Sequence, residues 1–190
     1  RLVGSEMCIR DSFTFAGNIG KVQNLENIIN AFNLLSGKYQ KKAQLNIIGD
    51  GSNLKNIQEL ARNNKSIVFY GKKNRNEMSR FYLASDFLIV SLIDEPIFSL
   101  TVPGKTQTYI AAKKPILGII NGDTAEIIKK NNLGLCAPPS NIDLIYSLIK
   151  DCIDMTEEQK AGFVKNNDFL LNSTFNKEKI IKDLTRILVN

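Results

Sequence analysis

The sequence predicts an α/β fold in which a doubly wound, mostly parallel sheet is flanked by helices. Short, continuous apolar runs rich in Ile, Val and Phe recur along the chain, which is typical of strands buried on both faces of a parallel sheet. Amphipathic stretches with helical spacing separate these runs, and such alternation gives right-handed crossovers. In this fold class, ligands bind beyond the carboxyl ends of the strands, so a site is expected in the loops that follow them.

The predicted elements alternate in order along the chain. The strands are predicted at Phe13–Ala16, Leu45–Ile48, Ile67–Tyr70, Phe87–Ser91, Ile116–Ile120 and Leu135–Ala137. The helices between and after them are predicted at Leu25–Leu35, Leu54–Ala61, Glu77–Ala84, Lys105–Ala112, Ala125–Asn131 and Ile142–Ile149. Gly37 is expected to end the first helix, and Ser52 or Asn53 is expected to cap the second.

The chain of 190 residues suits one well-cored domain and is short for two. Residues 1–12 have no apolar periodicity and are similar to translated adaptor sequence, so we predict a non-native or disordered extension there. Residues 13–155 are predicted to form the α/β domain. Residues 156–190 are predicted to form two helices, Glu157–Leu171 and Lys177–Val189, that pack on this domain or on a further domain of the same protein.

The composition excludes several classes of function. Histidine is absent, which excludes a Ser-His-Asp triad, a His-ligated zinc site and a histidine general base within the chain. Three cysteines without metal-ligand spacing favour a reducing compartment, and we expect a cytoplasmic location and no metal site. The net charge of +6 is not arranged as a basic stripe with interleaved aromatics, so no nucleic-acid partner is expected. It suits an anionic ligand, or peripheral contact with an anionic membrane surface.

Glycine-rich loops follow the first three predicted strands. They are Gly17-Asn18-Ile19-Gly20-Lys21, Gly49-Asp50-Gly51-Ser52 and the turn at Gly71. Glycine lets backbone N–H groups approach an anion, and a following helix adds its positive end. A tight turn with a helix cap explains the second loop as well as a nucleotide contact does, so both interpretations stay open there. The spacing matches neither the G-x-G-x-x-G fingerprint nor the P-loop, which disfavours a dehydrogenase and an ATPase.

Lys105 is the candidate catalytic residue. Pro103 and Gly104 mark a helix start after the long loop Leu92–Pro103, which places Lys105 in the first turn of that helix. A lysine there opposes the helix macrodipole by about 0.3–1 kcal/mol. A diphosphate held between the ammonium group and the free N–H groups would turn this repulsion into attraction. A surface lysine that bends into water is the alternative, and the glycine loops around Lys105 favour the diphosphate.

Together, these residues resemble the C-terminal domain of glycosyltransferase family 4, whose members are retaining enzymes with the GT-B fold. The match runs from Phe13 to about Asp151, with landmarks at Phe15-Ala16-Gly17-Asn18, Gly49-Asp50-Gly51, Phe69-Tyr70-Gly71 and Ser85-Asp86. The stretch Thr101–Ile116 is similar to the P-S-K-x-x-x-Y-M-A-x-x-K-P pattern of members that use UDP-linked N-acetylated amino sugars. The N-acetylfucosamine transferases of O-antigen and capsule synthesis are one such group.

The resemblance implies that residues 13–155 form a nucleotide-sugar-binding, Rossmann-like domain, which is one half of a GT-B fold. The diphosphate of a UDP-sugar donor would meet Lys105 together with Gly17, Asn18, Gly20 and Lys21. The base would lie near Gly49, Asp50, Gly51, Tyr70 and Gly71. The donor sugar would be approached by Phe98, Thr101 and Val102, with Pro103 and Gly104 at the helix start, and the ribose by Gln107 or Thr108.

The resemblance also implies partners. No cofactor or divalent metal would be needed, because fixed protein charge stabilises the leaving group. The acceptor would be a polyprenyl-diphosphate-linked sugar at the inner face of the cytoplasmic membrane, held by an N-terminal domain of the same enzyme, so the chain alone is expected to be inactive. A UDP-sugar 2-epimerase and a non-catalytic nucleotide-binding module remain as alternatives, the first disfavoured by the absence of histidine.

Overall fold

The computed structural model describes residues 10–176 together with Glu178, Lys179, Ile181, Lys182 and Thr185. These residues include six parallel strands that form one sheet in the order β3-β2-β1-β4-β5-β6. The order changes direction between β1 and β4, so the predicted doubly wound fold class is confirmed. The strands are β1 Asp11–Ala16, β2 Ala43–Ile48, β3 Ile67–Gly71, β4 Phe87–Ser91, β5 Ile116–Ile119 and β6 Gly134–Ala137.

Helices flank the sheet on both faces, and a single 3₁₀ turn, Lys21–Gln23, follows β1. The helices are α1 Leu25–Asn33, α2 Gly37–Lys42, α3 Leu54–Ala61, α4 Arg75–Ala84, α5 Pro96–Ser99, α6 Gly104–Ala111, α7 Asp123–Lys130, α8 Ile142–Ile153, α9 Glu157–Gly162 and α10 Asn167–Asn172. No helix among the described residues combines the length and apolarity that crossing a membrane requires.

Two apolar clusters lie on opposite faces of the sheet. Successive side chains of a strand point to opposite faces, so β4 contributes Phe87 and Ile89 to one cluster and Leu88 and Val90 to the other. The first cluster includes buried residues of α1, α3 and α8, and the second includes buried residues of α6, α7 and α10. Burial on both faces explains why the strands are uniformly apolar in sequence.

The domain begins earlier than predicted. β1 starts at Asp11 and not at Phe13, so Asp11 and Ser12 belong to the folded domain rather than to the predicted extension. Asp11 is buried and forms an ion pair with the buried Lys160 of α9, and the hydroxyl of Ser12 donates to Asp86 Oδ2 at 2.8 Å. Such long-range polar contacts have no sequence periodicity, so the pattern did not include these residues. Residues 1–9 of the predicted extension lie outside the described residues.

Three helical predictions differ from the structure. Gly37, expected to end the first helix, begins α2 with a φ of 55° instead, and α1 ends at Asn33. The long loop after β4 contains the short helix α5, which the sequence did not predict. The helix predicted at Glu157–Leu171 is divided into α9 and α10 by a turn. Much of the second predicted C-terminal helix, Lys177–Val189, lies outside the described residues.

The ion pair between Lys160 and Asp11 gives a testable prediction for stability. Lys160→Met leaves the Asp11 carboxylate buried without its partner, which is expected to destabilise the chain by about 3 kcal/mol. Chemical denaturation measures the change. Lys130→Met, which removes an exposed pair with Glu126, is the control and is expected to change stability by less than about 0.5 kcal/mol. Equal stability of the Lys160 and Lys130 variants would contradict a stabilising role for the buried pair.

Candidate functional site

A cleft opens at the carboxyl edge of the sheet, at the ends of β1, β2 and β3. Its volume is about 610 Å³. The residues at the ends of β1 and β2 form its base, and the loop after β3 and one face of α4 form its wall. The lining residues are Ala16, Gly17, Asn18, Ile48, Gly49, Asp50, Gly51, Lys72, Lys73, Met78 and Tyr82. Gly17, Asn18, Gly49, Asp50 and Gly51 were predicted as site residues, and the structure brings them together here.

Lys105 lies beside the first loop. A Cβ atom built on Gly17 would be 3.2 Å from Lys105 Nζ, which places the ammonium group next to this glycine. The same Nζ lies 4.0 Å from the centroid of the Phe15 ring, in a cation–π arrangement. Burial lowers the pKa of Lys105 to about 8. The predicted proximity of Lys105 to the first glycine loop is therefore present in the folded chain, although Lys105 is not among the residues that line the cleft.

The charge of Lys105 is not neutralised within the described part of the chain. No carboxylate there forms an ion pair with it. The residue sits in the first turn of α6, after Pro103 at the N-cap, where the N–H groups of Gly104 and Lys105 have no acceptor within the helix. Positive charge and free N–H donors thus concentrate beside Gly17, next to one end of the cleft, which is suited to an anion.

Several N–H groups of the glycine loops are already hydrogen-bonded, either within their own loop or to a neighbouring one. The N–H of Gly17 donates to Ile48 O at 3.0 Å, and that of Gly49 donates to Gly71 O at 3.0 Å. The N–H of Gly51 donates to Asp50 Oδ1 at 2.8 Å. Asn18 is different, because its N–H has no acceptor among the described residues. The loops therefore stabilise one another, and the Asn18 N–H is a donor at the cleft that remains for a ligand.

Close packing explains why glycine occurs at two of these positions. A Cβ atom on Gly49 would overlap the carbonyl oxygen of Gly17, and one on Gly51 would overlap that of Ile19. Gly49 also has a φ of 142°, a conformation that L side chains rarely adopt. The tight-turn interpretation of the second loop thus holds, and the same turn lines the cleft, so the two interpretations are compatible.

Gly20 and Lys21, also predicted for the diphosphate, do not line the cleft. The N–H of Gly20 donates to Gln23 Oε1 at 2.9 Å, so the local 3₁₀ turn uses it. Lys21 is exposed in that turn. Tyr70 packs edge-on against Phe81 with ring centroids 5.2 Å apart, and the Gly71 carbonyl accepts the hydrogen bond from Gly49. Tyr70 and Gly71 therefore support the edge of the cleft without lining it.

The predicted donor-sugar segment lies on the α6 side of this edge. Phe98 is half-buried against the second apolar cluster, and the Thr101 carbonyl accepts a hydrogen bond from Thr124 Oγ1 at 2.8 Å. Val102 and Pro103 are half-buried and lead into α6. Gln107 and Thr108, predicted for the ribose, are exposed on α6 and do not line the cleft. Their roles remain predictions.

Six residues that line the cleft were not among the predicted site residues. Ala16 and Ile48 end β1 and β2, and the other four lie further along the wall. Lys72 and Lys73 follow β3, and Met78 and Tyr82 lie on one face of α4. The position of the lysines directly after a strand was an available signal, because every loop at this edge can contribute to a site. Among the described residues, no group of three Cys, Asp or Glu side chains is arranged to hold a metal ion.

The sequence profile of the family "Glycosyl transferases group 1" matches residues 10–168. The chain belongs to this family. The match covers every strand of the sheet and all of the cleft. The resemblance to glycosyltransferases is therefore confirmed at the level of this broad family.

Similar proteins agree with this placement. The probable glycosyltransferase WbjE of Pseudomonas aeruginosa is 29% identical over 154 residues, which are 79% of this chain and 38% of WbjE. HepE of Anabaena in complex with UDP-glucose has a TM-score of 0.77 at 13% identity, over 95% of this chain and 49% of HepE. The C-terminal domain of LpcC, a glycosyl transferase group 1 family protein from Francisella tularensis, has a TM-score of 0.70 at 20% identity, over 88% of this chain and 87% of that domain.

These comparisons show the fold of the chain and how much of each similar protein it covers. At such low identities the structural likeness shows the fold alone, and that fold is the predicted Rossmann-like half of a GT-B glycosyltransferase. The chain spans less than half the length of WbjE and of HepE.

Proposed function

We propose that the chain is the donor-binding half of a glycosyltransferase that uses a UDP-sugar. The observation that carries this proposal is the position of Lys105. Its partly buried ammonium group adjoins Gly17 at the start of α6 and has no carboxylate partner among the described residues. A buried cation without a partner is unfavourable, and an anionic ligand removes that disadvantage.

A diphosphate fits this end of the cleft. Its charge interacts with the Lys105 ammonium group, while its oxygens can accept from the N–H groups of Asn18, Gly104 and Lys105. In glycosyl transfer, negative charge develops on the departing diphosphate as the bond to the sugar breaks. Lys105 and the helix N–H groups stabilise that charge in place, which is how fixed protein charge lowers the barrier. In this proposal no cofactor and no divalent metal are needed.

Features of similar proteins support the choice of donor. The Anabaena HepE structures contain UDP and UDP-glucose, and a structure of Staphylococcus aureus TarM contains UDP. WaaG, another glycosyltransferase of similar fold, takes part in lipopolysaccharide biosynthesis. The proposal extends to a family 4 enzyme that transfers an N-acetylated amino sugar of the N-acetylfucosamine type in O-antigen or capsule synthesis.

We propose that the acceptor binds outside the cleft. The acceptor is a polyprenyl-diphosphate-linked sugar, bound by an N-terminal domain of the same enzyme in the cytoplasm, at the inner face of the cytoplasmic membrane. The N-terminal domain completes the active site. The length of WbjE leaves room for such a domain, since the chain matches 38% of it.

Nucleotide binding tests this proposal. Isothermal titration of the chain with UDP is expected to give saturable binding at one site, and ADP is expected to bind at least about tenfold more weakly. Raising the salt concentration is expected to weaken UDP binding, because the contact is partly electrostatic. No saturable binding of UDP, or equal binding of ADP, would defeat the proposal.

A further inference from the structure

The two ends of the cleft carry separate groups of cations. Lys105 lies next to one end, beside Gly17 of the loop after β1, and Lys72 and Lys73 line the other end, after β3. The strand order places β3 and β1 two positions apart. Neighbouring strands are about 4.8 Å apart, so the ends of β3 and β1 are separated by about 10 Å. A nucleoside diphosphate with its phosphates at Lys105 extends along this edge toward β3.

The wall of the cleft is suited to a flat base. Met78 and Tyr82 are one helical turn apart on α4 and face the cleft together. A thioether and an aromatic ring offer apolar, polarisable surface, which favours contact with a planar ring over contact with a phosphate. The phosphates therefore belong at the Lys105 end, and the base belongs along the wall that leads to the loop after β3.

Lys73 differs from its neighbour Lys72 in its surroundings. Lys73 is half-buried in the cleft, whereas Lys72 is exposed. Within the described residues, the Lys73 ammonium group has no carboxylate partner and donates no hydrogen bond. A lysine ammonium group has three donors and no acceptor, so any hydrogen bond that it forms with a ligand is to an acceptor atom. Because Lys73 is half-buried in the cleft, that acceptor must belong to the part of the ligand that lies near the loop after β3.

We propose that Lys73 is a specificity-determining residue that donates a hydrogen bond to the O4 carbonyl of a uracil base. This inference rests on the proposed function. Cytosine carries an amino donor where uracil carries O4, and two facing donors cannot pair. A site that bonds one of these groups rejects the other, because its own donor is left unpaired. Lys73 thus selects uridine over cytidine diphosphate, two ligands of the same size and charge.

The test compares UDP and CDP titrations of the unsubstituted chain with those of Lys73→Met and Lys72→Met. The unsubstituted chain is expected to prefer UDP by at least about tenfold. Lys73→Met is expected to lose most of that preference while still binding CDP, which also shows that the variant is folded. Lys72→Met removes the same charge from the exposed neighbour, so it is expected to weaken both nucleotides equally. Lys73→Arg, which keeps N–H donors, is expected to retain a preference for UDP.

The outcomes separate this inference from the proposed function. An unchanged UDP-to-CDP ratio in Lys73→Met overturns the inference and leaves the proposed function standing. The same holds if Lys72→Met shifts the ratio as much, or if Lys73→Met loses both nucleotides equally. Failure of the unsubstituted chain to bind UDP overturns both.

Discussion

Replacing Lys105 by methionine is expected to weaken UDP binding about 100-fold while making the free chain more stable. Methionine keeps apolar contact with Phe15 but removes the ammonium group. The proposed diphosphate then loses its charged partner, and truncating one member of such a pair costs about 2–5 kcal/mol. The free chain, in contrast, loses a buried cation that has no carboxylate partner in the described residues.

The gain in stability from Lys105→Met is expected to decrease as the pH rises. Burial lowers the pKa of Lys105 from 10.5 to about 8 in the folded chain. The folded state therefore binds this proton less tightly than the unfolded state does. The resulting loss of stability is complete below pH 8 and disappears as the pH rises to 10.5. Lys105→Met is thus expected to be more stable than the unsubstituted chain at pH 7, with a smaller difference at pH 10.

Titration calorimetry with UDP and chemical denaturation at both pH values measure these effects. Lys113→Met is the control, since Lys113 is exposed and pairs with the exposed Asp168. It is expected to change neither UDP affinity nor stability appreciably. Unchanged UDP affinity in Lys105→Met would remove Lys105 from the binding site, and lower stability at pH 7 would show that its charge is compensated in the free chain.

Replacing Gly49 by alanine is expected to destabilise the chain by more than about 4 kcal/mol. The new Cβ atom would overlap the carbonyl oxygen of Gly17, so one of the two loops must move. The φ of 142° adds backbone strain for any residue with a side chain. Movement of either loop also breaks the hydrogen bonds from Gly17 to Ile48 and from Gly49 to Gly71. UDP binding is expected to be lost with the shape of the cleft.

Gly71→Ala is the matched control for this prediction. Gly71 has a φ of 66°, but a Cβ atom there meets nothing within 4 Å. The substitution therefore introduces backbone strain without overlap and is expected to cost about 1–2 kcal/mol. Chemical denaturation of both variants measures the difference. If Gly49→Ala were no less stable than Gly71→Ala, the close approach of the first two loops would not matter to the fold.

The strands were predictable because burial on both faces leaves a simple signal. Each predicted strand lies within two residues of the observed one at either end, since apolar side chains must fill both clusters. Helix α2 was missed because the sequence from Gly37 to Lys42 has no apolar stripe and is stabilised by its neighbours. The start of β1 was misplaced because Asp11 is held by Lys160, a residue distant in sequence.

The position of the candidate site was predictable, because the direction of the strands decides at which edge of the sheet the loops meet. The glycine loops and Lys105 follow strands or begin helices, and all such points meet at one edge of a parallel sheet. The use of N–H groups by neighbouring loops was not predictable, because the acceptors, such as Ile48 and Gly71, belong to other strands. Lys73 was missed because a lysine next to other charged residues resembles solvated surface in sequence. Its half-burial in the cleft, which is a property of the folded chain, distinguishes it.

The contact between the diphosphate and the Lys105 ammonium group is tested most directly by following the ionisation of Lys105 as UDP binds. Nuclear magnetic resonance of ¹⁵N-lysine, assigned with Lys105→Met, reports the pKa of this ammonium group. We expect a pKa of about 8 for Lys105 in the free chain and a rise when UDP is added, because the diphosphate stabilises the charged form. UDP affinity should accordingly fall as the pH rises above 8. If the pKa of Lys105 stayed the same when UDP was bound, the diphosphate would not contact this ammonium group.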